Sequence, residues 1–369
     1  MYKKTIQVKV PGKIILSGEW SILQPGNSCI VIAVDKYVFL KISQSRKIKI
    51  SANDIDLKNV LSEIKNYKLI FKSKLTKSQK LKLKLCKKSI EIACKYLSEN
   101  NIAIKNFNLN INSQISNFTL PNGKTKKIGL GSSSAIVVAI ISGLLKFHNF
   151  KIQSKKIKNI IFKLSSIAHY IKQNKVGSCA DIAACTFQKP LEYKRFDPSW
   201  FNQQIKTKKL NFIVNIKWPN LKIKPIQLPS DLKINIGFVG FSSSTKNLIN
   251  QISKNNPNLL SKNFFKINQI VKKLLQSFKQ SENPSQKSEI LNLINQNRNF
   301  LKKIDTKLEP PKLKKMIQLA NLTGAEAKFS GAGGGDCVIA INFDKTTESK
   351  INQLWQKNSF FPLKINMLR

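Results

Sequence analysis

The chain has 369 residues, enough to bury a large core and to divide into two domains. With 41% apolar residues but no run near the roughly 18 apolar residues of a membrane span, and with no signal-peptide core after Met1-Tyr-Lys-Lys-Thr, it reads as a globular chain without a membrane partner, expected in the cytoplasm. A net charge of +45 raises nucleic acid as a partner, yet only four basic residues are arginine and the lysines are scattered among Asn and Ile, a compositional bias rather than a patch.

Residues 6 to 50 alternate apolar and polar, as in Ile6-Gln-Val-Lys-Val10 and Tyr37-Val-Phe-Leu-Lys-Ile42, with a turn signal at Pro25-Gly-Asn27, and this predicts paired strands. The first strand runs into a glycine cluster, Pro11-Gly-Lys-Ile-Ile-Leu-Ser-Gly-Glu-Trp20. Residues 76 to 98 carry Leu81, Leu83, Leu85, Ile90, Ile92, Ala93 and Tyr96 at helical spacing, and Phe107 to Ile115 alternates as a strand. Next comes Lys127-Ile-Gly-Leu-Gly-Ser-Ser-Ser-Ala135, directly before an apolar helix, Ile136 to Leu145. An amphipathic helix over Ile157 to Ile171 leads into Gly177-Ser-Cys-Ala-Asp-Ile-Ala-Ala184 and Leu191-Glu-Tyr-Lys-Arg-Phe-Asp197.

Three prolines between Trp218 and Ser230 mark a crossing between domains. Beyond them the reading is a strand (Ile234 to Val239), a helix (about 245 to 253), helices near 259 to 280 and 287 to 303, and a helix from Pro310-Pro311 to Gly324. A third cluster, Lys328-Phe-Ser-Gly-Ala-Gly-Gly-Gly-Asp-Cys337, precedes a strand over 337 to 342, a helix near 346 to 356 and a last strand near 361 to 367. A two-layer α+β domain fits that order.

The 127–135 run points to an anion site. Glycines let backbone approach a ligand, and the free N–H groups and positive dipole end of the following helix face the same point. It is neither a Walker loop, which wants Lys and Ser/Thr after its last Gly, nor the GxGxxG dinucleotide turn. The plain alternative is a helix cap with a flexible loop. Six cysteines without CxxC pairs read as reduced and buried, and two histidines, His148 and His169, leave little material for Ser–His hydrolysis or a zinc site.

The three glycine clusters, in this order, resemble the GHMP kinase family from Lys9 to Ala340. That resemblance implies a two-domain α+β fold: an N-terminal α/β domain over 1–222 with a left-handed βαβ-type nucleotide site, and a ferredoxin-like C-terminal domain over 223–369. It also implies ATP and Mg²⁺ as cofactors. Gly129, Leu130, Gly131, Ser132, Ser133 and Ser134 match the ATP-phosphate loop, with Ser133 at the metal-binding serine. Ser330, Gly331, Ala332, Gly333, Gly334 and Gly335 match a loop that braces the phosphates, and Lys13, Gly18 and Glu19 match a motif beside the acceptor.

Within the family, the segment from Gly177 to Ala184, the Tyr193…Phe196 pair, Trp20, the Gly-Gly-Gly-Asp336-Cys337 ending and Phe241-Ser-Ser-Ser-Thr-Lys246 are most similar to the phosphomevalonate branch. The last departs from that branch by lacking the upstream Trp-Thr-Gly. The resemblance thus implies transfer of the ATP γ-phosphate to phosphomevalonate. Lys13 would neutralise the transferring group, Asp181 would orient or deprotonate the acceptor, and Ser178, Ser244, Thr245 and Lys246 would contact the substrate. Asp181 could instead be a plain helix-start carboxylate, and 244–246 a plain cap. Mevalonate kinase, another small-molecule GHMP kinase, or a basic binding protein on the same fold are the alternatives. A monomer or homodimer is expected, with no specific nucleic acid.

Overall fold

The N-terminal alternating run forms β1, Thr5–Ser17, antiparallel to β2, Ser28–Gln44. A computed structural model describes residues 4–172, 177–243, 248, 251–252, 257–280 and 283–369. The register of β1 on β2 slips between Pro11 and Gly12 and again between Ile15 and Ser17. Such irregularities turn a strand and re-aim its side chains, and Lys13 lies between these two. A Cβ on Gly12 would stand 2.9 Å from the Leu130 carbonyl oxygen, so only glycine lets β1 come this close to the loop. The contact is sealed by a 2.9 Å hydrogen bond from Lys13 N–H to Leu130 O.

The remaining strands of this sheet are β3 (Ile48–Ala52), β4 (Leu57–Lys65), β5 (Lys68–Phe71), β6 (Phe107–Ser113), β9 (Leu191–Lys194) and β10 (Lys222–Pro225), while β7 (Asn117–Thr119) and β8 (Thr125–Lys127) form a separate hairpin. The order is β10-β9-β2-β6-β3-β4-β5 with β1 on β2, and only β3 and β6 run parallel. Its helices are α1 (Lys77–Glu99), α2 (Ser132–Phe147), α3 (Lys155–Lys172), α4 (Ala180–Phe187), α5 (Pro198–Thr207) and α6 (Leu210–Asn215). A capping box between Thr76 and Gln79 starts α1 where the sequence places it. α2 is buried on nearly every side, between the sheet and helices α1, α3 and α4.

The second sheet has the order β12 (Glu326–Phe329), β13 (Cys337–Asn342), β11 (Lys233–Phe238), β14 (Phe361–Leu363), all antiparallel. It carries helices α7 (Pro257–Ser277), α8 (Pro284–Ile304), α9 (Pro311–Asn321) and α10 (Lys345–Lys357). Strand alternation divides its side chains. Ile236, Phe238, Ile339 and Ile341 join the core that fills the first layer, whereas Val338, Ala340 and Phe329 pack with Met316 of α9 and Trp355 of α10. Apolar packing is therefore continuous between the two sheets.

Three expectations change. A boundary at 222/223 falls inside β10, whose residues pair with β9, and the second sheet starts at Lys233. The last strand covers only Phe361–Leu363, because the chain then crosses to the first sheet, where Met367 bridges Val34 and Asn366 bonds to Asp35. The helix expected to run to Gly324 ends at Asn321. The helix expected over 245–253 lies largely outside the described residues. All six cysteines are buried and free, and no helix among the described residues is long and apolar enough to cross a membrane.

Candidate active site

The loop after β8 turns through Gly131 into α2, and no side chain caps that helix start. The first N–H groups, on residues 132–134, therefore remain as donors at its positive dipole end. Around them opens a cavity of about 300 Å³ lined by Lys13, Gly129, Ser133, Asp181, Ser178 and Asp336 among others. Ser133 is exposed at its edge. Lys13, only 9% exposed, reaches in from β1 with its Nζ 3.4 Å from the Gly129 carbonyl oxygen.

Asp181 stands in the first turn of α4. Its Oδ2 accepts the Ser134 hydroxyl, and its Oδ1 accepts the Ile182 N–H at 2.9 Å. Burial pushes this carboxyl up, but attraction by His169, the Ser134 bond, Lys13 and the Ile182 N–H together hold it below its ordinary range. Burial keeps His169 itself below its ordinary value. At neutral pH, then, Ser134, Lys13 and the backbone N–H keep Asp181 ionised.

Asp336 closes the other side. Gly129 sits at φ 71, and a Cβ there would stand 2.6 Å from the Asp336 Cβ, so the Asp336 side chain packs directly against the 129–134 loop. Burial raises its pKa to about 6 against the pull of Lys13, the Ser243 N–H and Lys127, and its buried Oδ1 has no hydrogen-bond partner of normal geometry among the described residues. The third glycine loop is anchored by reciprocal bonds between Ser330 and Ile15, 2.9 Å from Ile15 N–H and 3.0 Å to Ile15 O. The Cys337 thiol also donates to Ile128 O.

The expected residues therefore divide. Lys13, Glu19, Gly129, Gly131, Ser132, Ser133, Ser134, Ser178, Asp181, Ser330, Gly331 and Ala332 all border the cavity. Leu130 turns into the core and leaves only its backbone at the loop. Gly18 packs against Cys29 behind the wall, and Gly333, Gly334 and Gly335 pack against Leu308, Leu248 and Phe241. Ser134 commits its hydroxyl to Asp181. Glu19 is buried and paired with Lys328, so its charge is turned away from a ligand. Ser244, Thr245 and Lys246 lie outside the described residues. His169, Lys127, Lys328 and the turn at Ile22 and Leu23 were missed. Their spacing resembles ordinary core or surface positions, and no local signal marks them.

Two family models match the chain: GHMP kinases N terminal domain over residues 84–189, and GHMP kinases C terminal over 252–358. The chain belongs to the GHMP kinase family. It has the two-domain fold of that family and is an ATP-dependent kinase. It is 23% identical to the phosphomevalonate kinase of Streptomyces sp. (strain CL190), over 98% of this chain and 96% of that one. It is 24% identical to the mevalonate kinase of Thermococcus onnurineus (strain NA1), over 93% and 91%. The solved structure of Streptococcus pneumoniae phosphomevalonate kinase in complex with phosphomevalonate and AMPPNP matches with a TM-score of 0.82, at 23% identity over 98% of this chain and 99% of that one.

Proposed function

We propose that this kinase transfers the γ-phosphoryl group of ATP to the phosphate of 5-phosphomevalonate, giving 5-diphosphomevalonate and ADP. The observation that carries the reading is the Asp181 carboxylate on the cavity wall, accepting the Ser134 hydroxyl and the Ile182 N–H beside Lys13. A carboxylate held below its ordinary pKa by His169, the Ser134 hydroxyl and Lys13 is a weak base. An alcohol acceptor gains from a strong base, whereas a phosphate is already acidic and needs mainly orientation and charge neutralisation. The N–H groups at the start of α2 hold the nucleotide phosphates, Lys13 neutralises the group in flight, and Asp181 orients the acceptor. Asp336 after the glycine run supports the same branch.

Mg²⁺ fits the donors present. Ser133 at the helix start is a hard oxygen at the cavity edge, and Asp336 borders the same cavity. No group of three His, Cys, Asp or Glu among the described residues is arranged to hold a metal, so phosphate oxygens and water would fill the rest of its shell. Bound with ATP, the ion would supply charge neutralisation for the phosphates during transfer.

Mevalonate kinase is the second reading, favoured by the 24% identity to the Thermococcus enzyme. A side-by-side assay of mevalonate and 5-phosphomevalonate with ATP and Mg²⁺, with product identification, decides between them. Phosphomevalonate is expected to be preferred about a thousandfold in kcat/KM. Faster turnover of mevalonate moves the chain to the other branch.

A further inference from the structure

Lys328 is 0% exposed and Glu19 is 1% exposed, and the Lys328 ammonium donates to the Glu19 carboxylate and, at 2.8 Å, to the Phe329 carbonyl. Burial pushes the Glu19 carboxyl up and the Lys328 ammonium down, each opposed by the other's charge. The second Glu19 oxygen forms no hydrogen bond of normal geometry among the described residues. A buried pair is a poor source of net stability, since desolvation offsets its attraction and an apolar pair of similar volume does as well. The phosphoryl transfer described above uses neither charge.

What the pair does accomplish is to join two segments 309 residues apart beneath the cavity wall. Glu19 precedes Trp20, whose backbone is held at φ 62, ψ −51, a costly conformation for a bulky residue. The Trp20 indole N–H donates to Ala332 O at 3.1 Å, so two consecutive residues, 19 and 20, grip the segment 328–332. The turn Ser21–Leu23 continues from this clasp through Ile22 N–H to Gly18 O and Leu23 N–H to Trp20 O, and Arg195 holds its far end by a 2.7 Å bond to Leu23 O. Trp20, Ile22 and Leu23, with Ile15 and Ala332, form one apolar stretch of the cavity lining.

We propose that Lys328 is a positioning residue: through Glu19 it holds the strained turn at Trp20 and so sets the apolar wall on which the carbon skeleton of the phosphoryl acceptor packs. The acceptor clause rests on the kinase reading above; the clasp does not. Lys328→Met leaves a buried carboxylate unpaired and risks misfolding, so Glu19→Gln/Lys328→Met, which buries no charge, is made beside it.

Two measurements test the proposal on both variants. In hydrogen exchange, amides of 18–24 should exchange at least about tenfold faster while those of 132–147 are unchanged. In steady-state kinetics, the acceptor KM should rise about tenfold or more while the ATP KM stays within about threefold. Unchanged protection of 18–24 in the folded double variant overturns the clasp. An equal rise of both KM values overturns its acceptor role. If the wild-type enzyme does not turn over phosphomevalonate, the substrate reading fails alone, and the exchange experiment, which needs no substrate, still decides the clasp.

Discussion

The Ser134 hydroxyl donates to the Asp181 carboxylate, tying the start of α2 to the start of α4. The 129–134 loop and the carboxylate proposed to orient the acceptor are therefore one mechanical unit. Ser134→Ala should remove a bond made to the charged form, so the Asp181 pKa rises toward its ordinary value. The expected result is an acid limb of kcat/KM displaced to higher pH and a kcat lower by about tenfold, while the ATP KM changes little. A pH–rate profile from about 3 to 9 reads both effects.

Asp181→Asn and Lys13→Met should each lower kcat at least about a hundredfold while leaving the fold intact, because positioned charges at the transferring group act mainly in the transition state. Circular dichroism alongside steady-state assays is the check, and near-normal turnover in both variants would remove the proposed chemistry.

Asp336 carries its own pH signature. Its folded pKa is raised to about 6 from an ordinary 3.8, so the folded state binds the proton more tightly than the unfolded state. The sign follows directly: stability falls as pH rises through that window and stays lower above it. Asp336→Asn should therefore stabilise the ligand-free protein near pH 7.5, by about 1 to 3 kcal/mol, with the gain shrinking toward pH 4. Urea unfolding at both pH values measures it; equal effects at the two would contradict the assignment.

Gly129→Ala forces a Cβ to 2.6 Å from the Asp336 Cβ at a backbone φ of 71. The expected outcome is a loss of about 1 to 3 kcal/mol in stability and an ATP KM raised about tenfold or more. Adding Asp336→Gly should restore part of both, since the two side chains would compete for one space. Additive losses would show that the two loops do not meet there.

The net charge of +45 should bring only weak, sequence-blind association with duplex DNA, lost as salt rises from about 50 to 200 mM. Fluorescence anisotropy against salt tests this, and tight sequence-specific binding at physiological salt would overturn it.

Much of the architecture is legible in short-range pattern. The spacing of Leu83, Leu85, Ile90 and Ile92 with the Thr76 cap defines α1, the alternation through Tyr37–Ile42 defines β2, and the glycines and serines of 129–134 announce a glycine turn into a helix start. These depend on local dihedrals, capping and periodicity, which neighbouring residues carry within a few positions. Partners across the fold are another matter. That Ser134 turns to Asp181 across 47 residues, that Lys328 meets Glu19 across 309, and that Asn366 leaves the second sheet for Asp35 are decided when the layers close. No local rule marks one buried lysine among so many exposed ones. Its environment exists only once β12 and the end of β1 are brought together, and burial then turns a surface-type residue into a structural one.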